Sequence, residues 1–191
     1  MKPIILILLA GSATLFGQEA VLDLDPARTQ VQFALSDILH AVHGSFQMKQ
    51  GSVHYDFATG KCSGAIVIDA QSGSSGSEGR DRRMHKSILE SDRYPEIVFI
   101  PDHVEGTLSK ASVHGAFRIH GQDHEMTAVV ETVPSAAGLD VTTQFIVPYV
   151  EWGMKNPSTL ILRVGAKVNI DVHATGRVHP DSSGSTRTSS R

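Results

Sequence analysis

Cys62 is the one cysteine among the 191 residues, and it stands in Gly60-Lys61-Cys62-Ser63-Gly64. That spacing fits a nucleophile elbow with a thiol in the serine's place. An elbow needs a strand before it and a helix after it, because the sharp turn between them exposes the nucleophile. Here strand-like sequence lies on both sides, so the segment is predicted to be a hairpin turn and Cys62 a structural residue. A lone thiol makes no internal disulfide, so the fold must stand on its own core. The chain also has ten histidines. His120 and His124 are four apart, with Glu125 beside the second. On a helix they would share one face, as paired zinc ligands do. Between them Gly121-Gln122-Asp123 reads as a hairpin loop joining two alternating strands, where that logic fails. His40 and His43 lie beside another turn and reach the first pair only through tertiary contact. Spacing supplies no third ligand, so neither a metal nor a cofactor is expected. There is no Ser-His-Asp signature, no P-loop and no prominent pair of carboxylates. Ser72-Gly73-Ser74-Ser75-Gly76 falls short of a phosphate cradle and reads as a flexible entry to a helix.

The remaining chemistry is cationic. Arg80, Arg82, Arg83, His85 and Lys86 crowd one short segment. One reading is a solvated helix face. The sharper reading is a collar at the mouth of a pocket, with Arg80 and Arg83 holding an anionic head group and His43 and His120 as further polar candidates. A formal net charge of −3 speaks against a nucleic-acid partner, which favours a basic domain.

The elements that must carry these residues are mostly strands. Val164, Ala166, Val168, Ile170 and Val172 alternate with Gly165, Lys167, Asn169, Asp171 and His173, which makes one dry face and one wet face. The same period of two runs through Val31, Phe33 and Leu35, through Val113, Gly115, Phe117 and Ile119, through Met126, Ala128 and Val130, and through Val141, Thr143, Phe145 and Val147. Ala65 to Ala70 is apolar on both sides. Polar, Gly-containing breaks separate the runs, so the chain is predicted to be an antiparallel meander, closed as a barrel or stacked as a sandwich. One segment is helical. Ser77 is placed to cap it, Met84 and Ile88 with Leu89 form its apolar stripe, and Tyr94-Pro95 ends it. A second helical turn is possible over Ser36–Val42.

The ends differ from this body. Met1-Lys2-Pro3 leads into an uncharged run from Ile4 to Ala10 and then small residues, the parts of an export signal with a cut expected after Gly17. The alternative is an uncleaved N-terminal anchor. The run is short for a membrane span. From His179 onward no large apolar residue remains, so the tail is expected to be disordered and its deletion to leave melting unchanged.

Taken together, the motifs show a resemblance. Gly79-Arg80-Asp81-Arg82-Arg83-Met84-His85, then Leu89-Glu90-Ser91, then Tyr94-Pro95-Glu96-Ile97-Val98-Phe99 resembles the central motif of the YceI-like family. Leu24-Asp25-Pro26-Ala27-Arg28-Thr29-Gln30-Val31-Gln32-Phe33 is similar to that family's first strand, with His43-Gly44-Ser45-Phe46 after it. Phe117-Arg118-Ile119-His120-Gly121, continued by Met126-Thr127 to Val130, is similar to its long hairpin. The resemblance covers residues of about 20–178. Ile88 and Leu89 depart from it, standing where the family commonly has two aromatics. Asp102–Ser109 reads as a short, weakly patterned strand.

The resemblance implies an all-β, lipocalin-like, eight-stranded antiparallel barrel with a helix or two near its opening. It implies a bacterial protein, periplasmic or secreted, often a homodimer, that binds a polyisoprenoid, quinone precursor or fatty acyl compound and is not an enzyme. The domain would span residues 18–178. Val31, Phe33, Phe117, Ile119, Phe145 and Val168 are the expected tunnel lining, Tyr149 and Trp152 an end closure, and Met84 and Ile88 the seal between helix and barrel. Two other readings stand beside the carrier. One is an enzyme of the same fold, with His43 and His120 as the candidates. The other is an envelope interaction protein whose pocket is incidental.

Overall fold

The structure, a computed structural model, describes residues 19–36, 41–158 and 163–181. The expected export signal lies outside the described residues, as does the tail beyond Asp181.

Nine strands are described: β1 (Glu19–Leu24), β2 (Gln30–Ser36), β3 (Ala41–Asp56), β4 (Cys62–Ser74), β5 (Glu96–Gly106), β6 (Lys110–Ile119), β7 (Gln122–Ser135), β8 (Gly138–Val147) and β9 (Val168–Pro180). They occupy eight places in a closed antiparallel barrel. β1 and β2 share one place: β1 pairs with Gly51–Asp56 of β3 and Gly176–Pro180 of β9, and β2 with Ala41–Phe46 and Asn169–His173. From β3 the sheet runs through β4, β5, β6, β7 and β8 to β9 and closes. The shared place breaks at Pro26–Arg28, one 3₁₀ turn. Pro26 has no N–H for a ladder, and Asp25 Oδ1 accepts from Ala27 N at 2.9 Å, turning the backbone out of the sheet. Leu24, the last residue before the break, lies opposite Gly51 on one side and Gly176 on the other. A Cβ at either glycine would come within 3.1 Å of Leu22 or Leu24 side-chain atoms, so the two glycines give the kink its room.

Antiparallel order puts the β3–β4, β5–β6 and β7–β8 turns, with Glu19 and Pro180, at one end of the barrel. The other end carries the helix, the β6–β7 turn and the segment between β8 and β9. Side-chain size differs between them. Near the helix the inward rows bring together Phe33, Phe46, Phe99, Phe117 and Phe145, and the main core lies there with Leu89, Ile97, Val147 and Met154. Toward the hairpin turns the inward residues include Val53, Val104, Val113, Ala128, Val141 and Ala174, with Leu22, Tyr55 and Leu139 among them, and the cavity extends through this half.

The helix, α1 (Glu78–Arg83), continues as a single π turn over Met84–Ile88. Ser77 occupies the N-cap position, yet its side chain makes no capping hydrogen bond. Asp81 organises the entry instead, accepting from Ser75 N at 2.8 Å and Ser75 Oγ at 2.5 Å. His85, one of the residues in the cationic segment, is a strut. Its Nε2 donates to Gly73 O at 2.8 Å, and its Nδ1 is 3.1 Å from Oγ of Ser91, which is 2% exposed.

Several sequence expectations shift in detail. β9 starts at Val168, leaving Val164 and Ala166 outside it, and runs on to Pro180. His179 and Pro180 pair with Val21 and Ala20, and Asp181 Oδ2 meets His54 Nδ1 at 2.8 Å, so ordered structure passes the expected end of the domain. Asp102–Ser109 is no strand of its own. Its first part is the second half of β5, past a register shift between Pro101 and His103, and Thr107–Ser109 turn into β6. Ser36, Ala41 and Val42, expected within a helical turn, are strand residues, and 37–40 lie outside the described residues. Ser72 to Ser74 belong to β4. The β6–β7 turn is His120-Gly121 alone, with φ of 52° and 75°, the two left-handed positions of a type I′ hairpin.

The barrel cavity as the candidate binding site

Alternation turns every second side chain inward, and the inward rows enclose a cavity of about 790 Å³. That volume suits one small or slender ligand. Val31, Phe33, Met84, Ile88, Phe117, Ile119, Phe145, Tyr149 and Val168 all line it. Trp152 does not. It lies one layer out, stacked on His124. Tyr149, 4% exposed, lines the cavity and donates its hydroxyl to Gly165 O at 2.8 Å.

Arg80 and Arg83 line the cavity at its helix end. Arg80 is committed to Ser75, with Nε 3.1 Å from Oγ and Nη2 3.2 Å from the carbonyl. Arg82 pairs with Glu78 at 2.6 Å and faces away from the cavity. The two candidate histidines do not reach the lining. His43 is exposed on β3. His120 sits in its turn against the Tyr94 ring, with Nε2 3.7 Å from Glu90.

Much of the lining lies beyond the residues singled out in the sequence. The hollow half adds Leu22, Tyr55, Val104, Val113, Val130 and Val141. Val113, Val130 and Val141 continue the rows that carry Phe117, Met126 and Phe145, so alternation was the available signal. The threonines there keep the wall dry. Thr143 Oγ1 donates to Val129 O at 2.8 Å and Thr132 Oγ1 donates to Leu108 O, so their methyl groups are left for the cavity. Cys62 also faces inward, and burial, with the Asp102 carboxylate adding to it, pushes its thiol up to about 11. A thiol held in that state is a poor nucleophile at neutral pH. Burial raises the Tyr149 phenol as well. Among the described residues no histidine, glutamate or lysine lines the cavity, and Asp81, the one carboxylate that does, is committed to Ser75.

The cavity is open at the hairpin end, where its lining reaches exposed apolar residues: Leu108 is 79% exposed, Val178 54% and Phe57 50%. No helix among the described residues is long and apolar enough to cross a membrane.

Solved structures share this architecture. Burkholderia cenocepacia BcnA aligns with a TM-score of 0.68 at 19% identity, over 82% of this chain and 99% of that one. A polyisoprenoid binding domain from Saccharophagus degradans, implicated in plant cell wall breakdown, aligns with a TM-score of 0.60 at 16% identity, over 83% and 98%. The Campylobacter jejuni YCEI protein aligns with a TM-score of 0.54 at 14% identity, over 65% and 78%. At these identities the likeness establishes the fold. No curated protein sequence shows significant similarity to the chain. The YceI-like domain model matches residues 22–176, from β1 almost to the end of β9, and the chain therefore belongs to the YceI-like family.

Proposed function

We propose that the protein is an exported carrier that holds one long-chain amphiphile, a polyisoprenoid, quinone precursor or fatty acyl compound, with its chain inside the barrel. The observation that carries this reading is the continuous apolar cavity of about 790 Å³ inside a closed barrel. Filling it with hydrocarbon gains about 25 cal/mol per Å² of apolar surface removed from water, before ordering costs. Phe33, Phe117, Phe145, Val31, Ile119 and Val168 contact the chain in this reading, with Met84 and Ile88 sealing the helix onto it. The ligand named for the Saccharophagus degradans domain is of the same chemical class. The largely apolar wall favours carriage over catalysis. The N-terminal export pattern supports a location in the periplasm or outside the cell.

Native mass spectrometry of protein purified without detergent, followed by lipid extraction, tests the reading. A stoichiometric long-chain adduct is expected, and the same spectra report whether the protein is a homodimer. An empty protein that also ignores added isoprenoids and fatty acids would overturn the carrier reading.

A further inference from the structure

A second, smaller cavity of about 290 Å³ adjoins the helix end of the barrel. Arg83, Ile88 and Pro157 line both cavities, so the two are neighbours across these three residues. The character changes at that boundary. Most of the large cavity is walled by hydrocarbon, with Ser75, Arg80, Asp81 and Arg83 at its helix end, whereas the small one is lined by Arg83, Ser87, Lys155, Asn156 and Ser158 beside Ile88 and Pro157. Two cations, two hydroxyls and an amide therefore gather where the apolar tunnel ends.

These groups come from distant parts of the sequence and lie at the protein's surface. Arg83 Nη1 donates to Pro157 O at 3.4 Å, which ties the helix to the segment after β8. That segment is locked by its own turn: Asn156 Oδ1 accepts from Ser158 N at 2.9 Å and Ser158 Oγ at 2.6 Å, and Val164 N donates to Ser158 Oγ at 2.8 Å. Neither Arg83 nor Lys155 forms an ion pair among the described residues, whereas Arg82, Lys110, Arg118 and Lys167 each have a carboxylate. Among the described residues no acidic side chain lines the small cavity. A guanidinium fork beside an ammonium and the Ser87 hydroxyl is the chemistry that binds a phosphate or carboxylate.

We infer that the small cavity is the head-group site of an anionic amphiphile, with Arg83 and Lys155 binding a phosphate or carboxylate while the chain runs down the barrel toward Leu108 and Phe57. This rests on the carrier reading and adds to it the ligand's charge and direction. A chain longer than the barrel emerges over the exposed apolar rim at the hairpin end.

The test compares hexadecyl phosphate, hexadecanoic acid, hexadecanol and inorganic phosphate on the full chain by calorimetry. Hexadecyl phosphate is expected to bind about tenfold or more tighter than hexadecanol, with the difference shrinking in high salt. A gain shared equally by the fatty acid identifies a carboxylate head, and a larger gain for the phosphate identifies a phosphate head. The double substitution Arg83→Gln, Lys155→Gln is expected to erase the gain while leaving hexadecanol affinity unchanged, which also shows that the barrel is intact. Arg82→Gln, on the same helix but outside both cavities, should change nothing. Phosphate affinity in the native protein should rise as pH passes through about 6, the second ionisation of a phosphomonoester, and stay flat in the double variant. Equal binding of the alcohol and the anions would overturn the head-group site and leave the carrier reading standing. Tight binding of inorganic phosphate that does not compete with hexadecyl phosphate would replace it with a free-anion site. Failure of every long-chain probe would instead defeat the carrier reading.

Discussion

The indole of Trp152 lies flat on the imidazole of His124, with ring centroids 4.1 Å apart and planes 6° from parallel. Phe117 meets the same indole at 5.7 Å and lines the cavity on its other side. His124 Nε2 is buried without a partner in this stack, so the indole covers both the ring and its nitrogen. Trp152→Ala is therefore expected to cost about 3 kcal/mol, the scale of deleting a large packed aromatic. Urea unfolding followed by circular dichroism measures it. A loss below about 1 kcal/mol would show that the stack adds little to the barrel.

The cavity wall predicts two different responses to substitution. Phe117→Asp places a carboxylate in the apolar lining and should abolish retention of a long-chain ligand. Val141→Trp fills the hollow half without adding charge, so it should exclude long chains while short ones still bind. A chain-length series on both variants checks this. Unchanged capacity in Val141→Trp would place the ligand elsewhere.

Cys62 gives a pH signature. Its thiol is pushed up to about 11 by burial and then by Asp102, above an unfolded value of about 8.5. The unfolded chain therefore loses this proton first. The contribution to stability is whole below about 8.5 and is lost as pH rises toward about 11. Alkylation should be slow at neutral pH and accelerate only in strong alkali. Cys62→Ala should flatten the alkaline end of the stability profile. A rapid reaction at pH 7 would contradict the buried placement.

The end of β9 is held from outside the barrel. His179 Nε2 lies 2.8 Å from Asp23 Oδ2, and that hydrogen bond is the main cause of both a raised imidazole and a lowered carboxylate, Ser52 adding to the latter. The His179 contribution is present below about 6.5 and fades as pH rises through its folded value. The Asp23 contribution is present above about 3.9 and fades as pH falls through its folded value. The pair thus helps most between those limits, and modestly, because both side chains are half exposed. Removing residues 179–191 also takes away the ladder to Val21 and the Asp181–His54 contact. Thermal melting should fall by about 2–4 °C at pH 5.5, the shift that about 1 kcal/mol makes in a domain of this size. An unchanged melting temperature would show that this extension adds nothing.

The inward rows were legible in the sequence because alternation is a local property. Val113, Phe117 and Ile119, or Val141, Phe145 and Val147, declare their shared face without reference to any partner strand. The hairpin near Cys62 and the helix with Met84 and Ile88 inward were legible for the same reason, each depending on residues a few positions apart, although the turn lies at residues 57–60 and Cys62 opens β4. What was not legible depends on registry between strands. In the β6 and β8 rows the side chains shrink from phenylalanine toward valine with distance from the helix, but only antiparallel pairing stacks their large ends together. The break that lets β1 and β2 share a place needs Gly51 and Gly176 on both flanking strands. Trp152 and His124 meet only when the segment after β8 folds over the β6–β7 hairpin. Arg83 was visible as a cation, but Lys155 became its neighbour only through the tertiary structure, because what joins them is the closure of the barrel end rather than any spacing along the chain.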